Sequence, residues 1–172
     1  MTFTGRVLAL DLATTTGFAY GAPGSIPRFG HIRFTKAGSS HAETFRAFRQ
    51  WLESDWNQGI KNVPDAVVYE SPAVPTIMSG RTNINTIRLL VGLCAHLEEW
   101  CHGKVDYCHE ARVADVRNHF VGSNMKSNAA KAKTMARCRM LGWEVTTYDE
   151  ADACALWFYH CGWLNPRLAA LR

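Results

Sequence analysis

The stretch Arg6-Val7-Leu8-Ala9-Leu10-Asp11-Leu12-Ala13-Thr14-Thr15-Thr16-Gly17-Phe18-Ala19-Tyr20-Gly21 decides how the rest of the chain is read. Residues 6–11 are an apolar, β-prone run that closes on an acid. A threonine-rich turn follows, and 16–21 resumes as a second short strand. Arg28–Phe34 alternates after the turn signals Gly24 and Pro27, so the chain opens as a three-stranded antiparallel meander. Asp11 stands out because it ends the first strand inside an otherwise apolar stretch.

Outward from there, His41–Trp56 has helical spacing through Phe45, Phe48 and Leu52, with Gly59 as its stop. Ala66–Glu70 is a short buried strand that also closes on an acid, ended by Ser71-Pro72. Asn83–Cys101 is a strong helix with two apolar sides: Ile84, Ile87, Val91 and Cys94 on one, Leu90, Leu93, Leu97 and Trp100 on the other. Val105–Cys108 reads as a strand, and Glu110–Phe120 and Ser127–Leu141 as helices around the loop 122–124. Trp143–Thr146 reads as a short extended piece. Asp149–Leu164 is a last helix, almost wholly apolar after its first turn, in which Ala151, Ala153 and Ala155 permit close packing. The order β-β-β-α-β-α-β-α-α-α, without repeat or linker, specifies one α/β domain over 1–172.

Composition narrows the class. The chain has 172 residues, 47% hydrophobic and 20% charged, which excludes disordered, collagen-like and coiled-coil proteins. No run nears the roughly 18 apolar residues of a membrane span, and the N-terminus lacks the pattern of a signal peptide. The expected compartment is the cytosol, where the six cysteines are thiols. Cys101-His102-Gly103-Lys104-Val105-Asp106-Tyr107-Cys108-His109 has zinc-ligand residue types but no CxxC spacing, and a predicted strand crosses it. No structural zinc is expected, and the cysteines read as small buried apolar residues. The net charge of +4 is mild, yet Val116–Trp143 holds six basic residues (Arg117, Lys126, Lys131, Lys133, Arg137, Arg139) and no acid. Such a stretch suits either phosphate binding or a solvated helix face.

Four acids sit at element ends. Asp11 and Glu70 close strands; Asp149 and Asp152, three apart, share one face at the start of the last helix. Buried carboxylates are costly unless paired or bound to cations. Oxygen ligands of this kind suit Mg²⁺ or Mn²⁺, and two such ions can clamp the attacking and leaving oxygens of a phosphoryl displacement. The plainer alternative makes Asp149 a helix cap and Asp152 a partner of the helix dipole.

These residues resemble the RuvC family of Holliday-junction resolvases. Leu8-Ala9-Leu10-Asp11 with Thr16-Gly17-Phe18-Ala19-Tyr20 resembles the family's first-strand Asp and the turn after it, and Val67-Val68-Tyr69-Glu70 its strand ending in Glu. Asp149-Glu150-Ala151-Asp152-Ala153-Cys154-Ala155-Leu156 is similar to its D-x-x-D-A-x-A-[LI] helix, and Glu110–Lys126, with Arg112, Arg117 and Gly122, to its basic segment. The family usually has Pro-Gly where Leu12-Ala13 stand, and other residues where Ser71-Pro72-Ala73-Val74-Pro75 follow the Glu, as in a distant, phage-type branch.

The resemblance implies an RNase H-like α/β fold: a mixed five-stranded sheet, antiparallel meander plus parallel strands, flanked by helices. It implies an endonuclease that resolves four-way junctions with two Mg²⁺ or Mn²⁺ ions per site. Asp11, Glu70, Asp149 and Asp152 would be the catalytic ligands, with Asp11 bridging. Arg112, Arg117, Lys126, Lys131 and Lys133 would contact DNA, Arg117 and Lys126 holding phosphates beside the cut. His109 and His160 are assigned no role in the site. A junction has two strands to cut, so a homodimer is expected, with Leu90, Leu93, Leu97 and Trp100 left available as its interface.

Two rivals remain. An RNase H-type nuclease on RNA–DNA hybrids, or a general repair nuclease, would keep the same acids. Asp11-Leu-Ala-Thr-Thr-Thr-Gly17 also resembles the first phosphate loop of actin and sugar-kinase ATPases, but the chain has no Asp-x-Gly for the second loop.

Overall fold

A computed structural model of the chain describes residues 3–54, 63–72, 84–122 and 127–166. Five strands form one sheet in the order β3-β2-β1-β4-β5. These are β1 (Val7–Asp11), β2 (Thr15–Gly21), β3 (Arg28–Arg33), β4 (Ala66–Glu70) and β5 (Tyr107–Ala111). The first three pair antiparallel, whereas β4 runs parallel to β1 and β5 parallel to β4. The expected mixed sheet is therefore present, and five helices flank it: α1 (His41–Glu53), α2 (Ile84–Cys101), α3 (Val113–Val121), α4 (Ser127–Met140) and α5 (Tyr148–Leu164).

The strand alternation splits the core into two layers. One face presents Leu8, Leu10, Tyr20, Val67 and Tyr69 to α1 and α2, which contribute Phe48, Trp51, Leu52, Leu93, Leu97 and Trp100. The other presents Val7, Ala9, Ala19, Ala66 and Val68 to α5, with α3 and α4 packed beyond it. On β2 that second face consists of Gly17, Ala19 and Gly21, so α5 comes close: Trp157 Nε1 donates to the Gly21 carbonyl at 3.3 Å. Asn165, just past α5, exchanges two 2.8 Å hydrogen bonds with the backbone of Phe3.

The α2 expectation is corrected. Leu93 and Leu97 are 0% exposed, Trp100 is 4% exposed and Leu90 is half-buried; this stripe faces the sheet and α1 of the same chain. On the other stripe Ile84 is 53% and Val91 45% exposed, whereas Cys94 joins the buried layer with Leu93 and Leu97. Both stripes are apolar, so periodicity alone does not fix which one the sheet takes.

Two boundaries also move. The last strand is Tyr107–Ala111 rather than Val105–Cys108, because its register is set by β4: Val67 pairs with Cys108 and Glu70 with Ala111. The helix expected from Glu110 accordingly starts at Val113. The piece Trp143–Thr146 lies outside the sheet, and its Trp143 and Val145 side chains are buried in the α5 layer. Among the described residues no helix is long and apolar enough to cross a membrane.

Candidate functional site

The two strand-end acids are neighbours by register. Leu10 of β1 pairs with Tyr69 of β4, so Asp11 and Glu70 follow side by side at the ends of adjacent parallel strands. Each shares the parity of the residues that face α5: Val7 and Ala9 for Asp11, Ala66 and Val68 for Glu70. The same face thus receives both carboxylates.

The helix acids arrive through Gly17. Asp11 pairs with Gly17 in the β1–β2 ladder, and a Cβ at Gly17 would collide with the Asp149 backbone carbonyl and crowd Ala153 Cβ. Only glycine leaves room for the first turn of α5 to lie on β2 beside Asp11. Thr147, not Asp149, caps α5: its side chain accepts from the Glu150 backbone N–H, and Glu150 reaches back in a capping box. Asp149 is therefore free of the capping role that the plainer alternative gave it. Glu150 is the acid of this turn that points elsewhere. Its carboxylate accepts from the Thr146 N–H at 2.6 Å, the Thr146 hydroxyl at 2.9 Å and the Thr147 N–H at 3.2 Å, and lies 2.9 Å from His31 Nδ1 on β3. These contacts bolt the start of α5 to the sheet.

Electrostatics separate Glu150 from the others. Burial raises its pKa, but the bonds from Thr146, His31 and Thr147 outweigh that, and the net shift is downward. Asp11 is pushed up to about 7 by burial and by the charges of Asp152 and Asp149, with Lys131 and Arg117 opposing. Glu70 is pushed up to about 8 by burial and by Asp11 and Asp152, again opposed by Arg117 and Lys131. Asp152 is raised by burial, with Asp149 adding to the rise and Lys131 and Arg117 opposing. Asp11, Glu70, Asp149 and Asp152 thus form one mutually repelling cluster flanked by two cations. Like charges gathered in this way are the donor chemistry a divalent cation satisfies, and the four carboxyls fit one in charge and in hard oxygen donors. Among the described residues no three His, Cys, Asp or Glu side chains already stand as an ion cage.

Of the basic residues singled out in the sequence, Arg117 on α3 and Lys131 on α4 reach this cluster. Lys131 also lies 5.7 Å over the Tyr148 ring. Arg112 precedes α3 and Lys133 lies on α4; both are exposed and neither acts on the acids. Lys126 lies outside the described residues. His109 and His160 contact each other at 3.2 Å and stack with Trp163. Neither is among the groups that shift the carboxylates. Glu150 and His31 were not anticipated as positioning residues. Thr147-x-x-Glu150 is a capping-box pattern visible in the sequence, whereas the His31 partnership spans 119 residues and left no local signal.

No family model and no curated protein matches the chain. Solved structures do. Thermus thermophilus RuvC in complex with a Holliday junction substrate aligns at a TM-score of 0.63 and 13% identity, over 90% of this chain and 92% of that one. The Thermus thermophilus RuvC structure without that description aligns at 0.64 and 12% identity, with the same coverages. Ydc2, the yeast mitochondrial Holliday junction resolvase, aligns at 0.63 and 13% identity, over 98% of this chain and 84% of that one. A mixed sheet in the order β3-β2-β1-β4-β5, flanked by five helices and matched at this length, is the fold of the RuvC-type resolvases.

Proposed function

We propose that the chain is a divalent-metal-dependent endonuclease that resolves four-way DNA junctions. The observation that carries this reading is the cluster itself: carboxyls from β1, β4 and α5 meet on one sheet face, raised by burial and mutual repulsion, beside Arg117 and Lys131. The fold it sits on is that of structures one of which holds a Holliday junction. Asp11, Glu70, Asp149 and Asp152 would hold Mg²⁺ or Mn²⁺, which supplies activation of a water and charge neutralisation at the leaving oxygen. Asp11 and Asp152 each interact with all three of the other acids. Arg117 and Lys131 orient the phosphate and offset its charge from the side facing α3 and α4. Arg112 and Lys133, both exposed, extend the basic surface along the DNA.

A junction presents two strands at two-fold related positions, so the working unit in this reading is a homodimer. Ile84 and Val91, both exposed on α2, offer an apolar surface for pairing. Sedimentation at micromolar concentration checks it: a monomer both with and without junction would remove the dimer from the proposal.

Cleavage of a synthetic four-way junction, a duplex, a flap and an RNA–DNA hybrid, side by side with Mg²⁺, tests the substrate. The expected result is paired cuts in the junction in preference to the other three. Asp11→Asn should bind the junction at least as well and cut it slower by on the order of 10³-fold. Preference for the hybrid, or near wild-type turnover in Asp11→Asn, overturns the reading.

A further inference from the structure

The Cys101–His109 stretch has no part in the carboxylate site, yet the fold brings its two cysteines together. Cys101 is the last residue of α2, and the chain reverses directly after it: the N–H groups of Lys104 and Val105 both donate to the Cys101 carbonyl, at 2.9 and 3.1 Å. Gly103, at φ +72°, supplies the left-handed residue this reversal needs. Asp106 and Tyr107 then donate to the Asp65 carbonyl and launch β5. Cys108 consequently faces the α2 side of the sheet, opposite Val67, where its side chain and that of Cys101 line one cleft.

Access distinguishes this pair from the other one. Cys138 and Cys154 also influence one another, but both are 0% exposed within the α5 layer. Cys108 is exposed, and Cys101, itself buried, lines the same open cleft of about 360 Å³ with Tyr69, Glu98 and His102. The contact also divides the labour: the hydrogen bond from Cys101 lowers the Cys108 pKa and, with burial, raises that of Cys101. The exposed sulfur is the better thiolate, and its neighbour keeps its proton.

We propose that Cys101 and Cys108 are a redox-active dithiol, oxidised by a hydroperoxide to an intramolecular disulfide. The Cys108 thiolate attacks the peroxide O–O bond and becomes a sulfenic acid, and the alcohol or water leaves. The Cys101 sulfur then attacks the Cys108 sulfur; hydroxide departs with the Cys101 proton as a second water. Two thiols lose two electrons, and the peroxide gains them. The new bond closes the reversal between α2 and β5, the strand whose Ala111 lies against Glu70.

The test uses the folded full chain and hydrogen peroxide, followed by alkylation of the remaining thiols after unfolding, and peptide mass spectrometry. The expected result is one disulfide joining Cys101 to Cys108, four alkylated cysteines, and full reversal by dithiothreitol. Cys108→Ser, at an exposed position, should leave the other five cysteines reduced under the same dose. Cys101→Ser should instead trap a dimedone-reactive sulfenic acid at Cys108; Cys101→Ala serves equally if the serine does not fold. Oxidation spread evenly over the six cysteines, a disulfide between any other pair, or release of bound zinc on alkylating the untreated protein would each overturn the assignment.

Discussion

The two faces of the sheet are built on opposite principles. Towards α1 and α2 it presents large side chains, Leu8, Leu10, Tyr20, Val67 and Tyr69, met by Phe48, Trp51, Leu97 and Trp100. Towards α5 it presents glycine and alanine along β2 and mostly alanine and valine on β1 and β4. The thick face is a core in which apolar area does the holding. The thin face lets a helix approach until its backbone touches a strand, and there the carboxylates meet. Stability and the site are thus assigned to different sides of the same five strands, which makes the division open to experiment.

Gly17→Ala attacks the thin face. The added methyl meets the Asp149 carbonyl, the first turn of α5 must move, and Asp149 and Asp152 move with it. A displacement of about 1 Å costs on the order of 10² in turnover, so junction cleavage per folded molecule should fall about that far. Retained turnover would mean that the close approach does not position the acids.

Leu97→Ala attacks the thick face. Removing a fully buried leucine costs about 2–5 kcal/mol in chemical denaturation. Cleavage per folded molecule should stay within a few-fold of wild type. A loss of turnover as large as that of Gly17→Ala would dissolve the distinction between the faces.

pH sharpens the contrast, because the thin face gathers carboxyls that hold their protons more tightly once folded. The pKa values of Asp11 and Glu70 rise from 3.8 and 4.5 to about 7 and about 8 on folding. A raised carboxyl binds its proton more tightly in the folded state, so it opposes folding progressively as pH climbs from about 4 to about 8. The melting temperature of the chelator-treated protein should therefore fall from pH 5 to pH 8. Asp11→Asn should flatten that fall, and Mg²⁺ should offset it at pH 8. A Tm that rises over this interval in the ion-free protein contradicts the cluster.

The smallest effect is expected at the cations. Lys131→Met and Arg117→Met should each flatten the dependence of log Kd on log salt by roughly one unit for junction binding, irrespective of sequence. An unchanged slope in the double variant would assign both to the carboxylates alone.

What the sequence revealed follows the same division. Asp11 and Glu70 were legible because each ends a strand whose apolar run is local, as in Leu8-Ala9-Leu10-Asp11 and Val67-Val68-Tyr69-Glu70. The small-residue stripe Gly17, Ala19, Gly21 was also in view, but its purpose depends on a helix that begins more than a hundred residues later. β5 was misplaced because it is an edge strand with exposed Tyr107 and Cys108, where hydrogen bonding to β4 rather than alternation sets the limits. The orientation of α2 was illegible for the opposite reason, since both its sides are apolar and the choice is made by what α1 and the sheet offer.

The fastening of α5 also sets a timetable. His31 reaches Glu150 across 119 residues and Gly21 reaches Trp157 across 136. Such long closures are slow, and neither can occur before the final helix has been synthesised. A nascent chain can carry the meander, β4 and β5 in place, with Asp11 and Glu70 adjacent, and still lack the other half of its acids. The cluster therefore assembles only after α5 has been made, and a nascent chain that stops short of Asp149 lacks half of its acids.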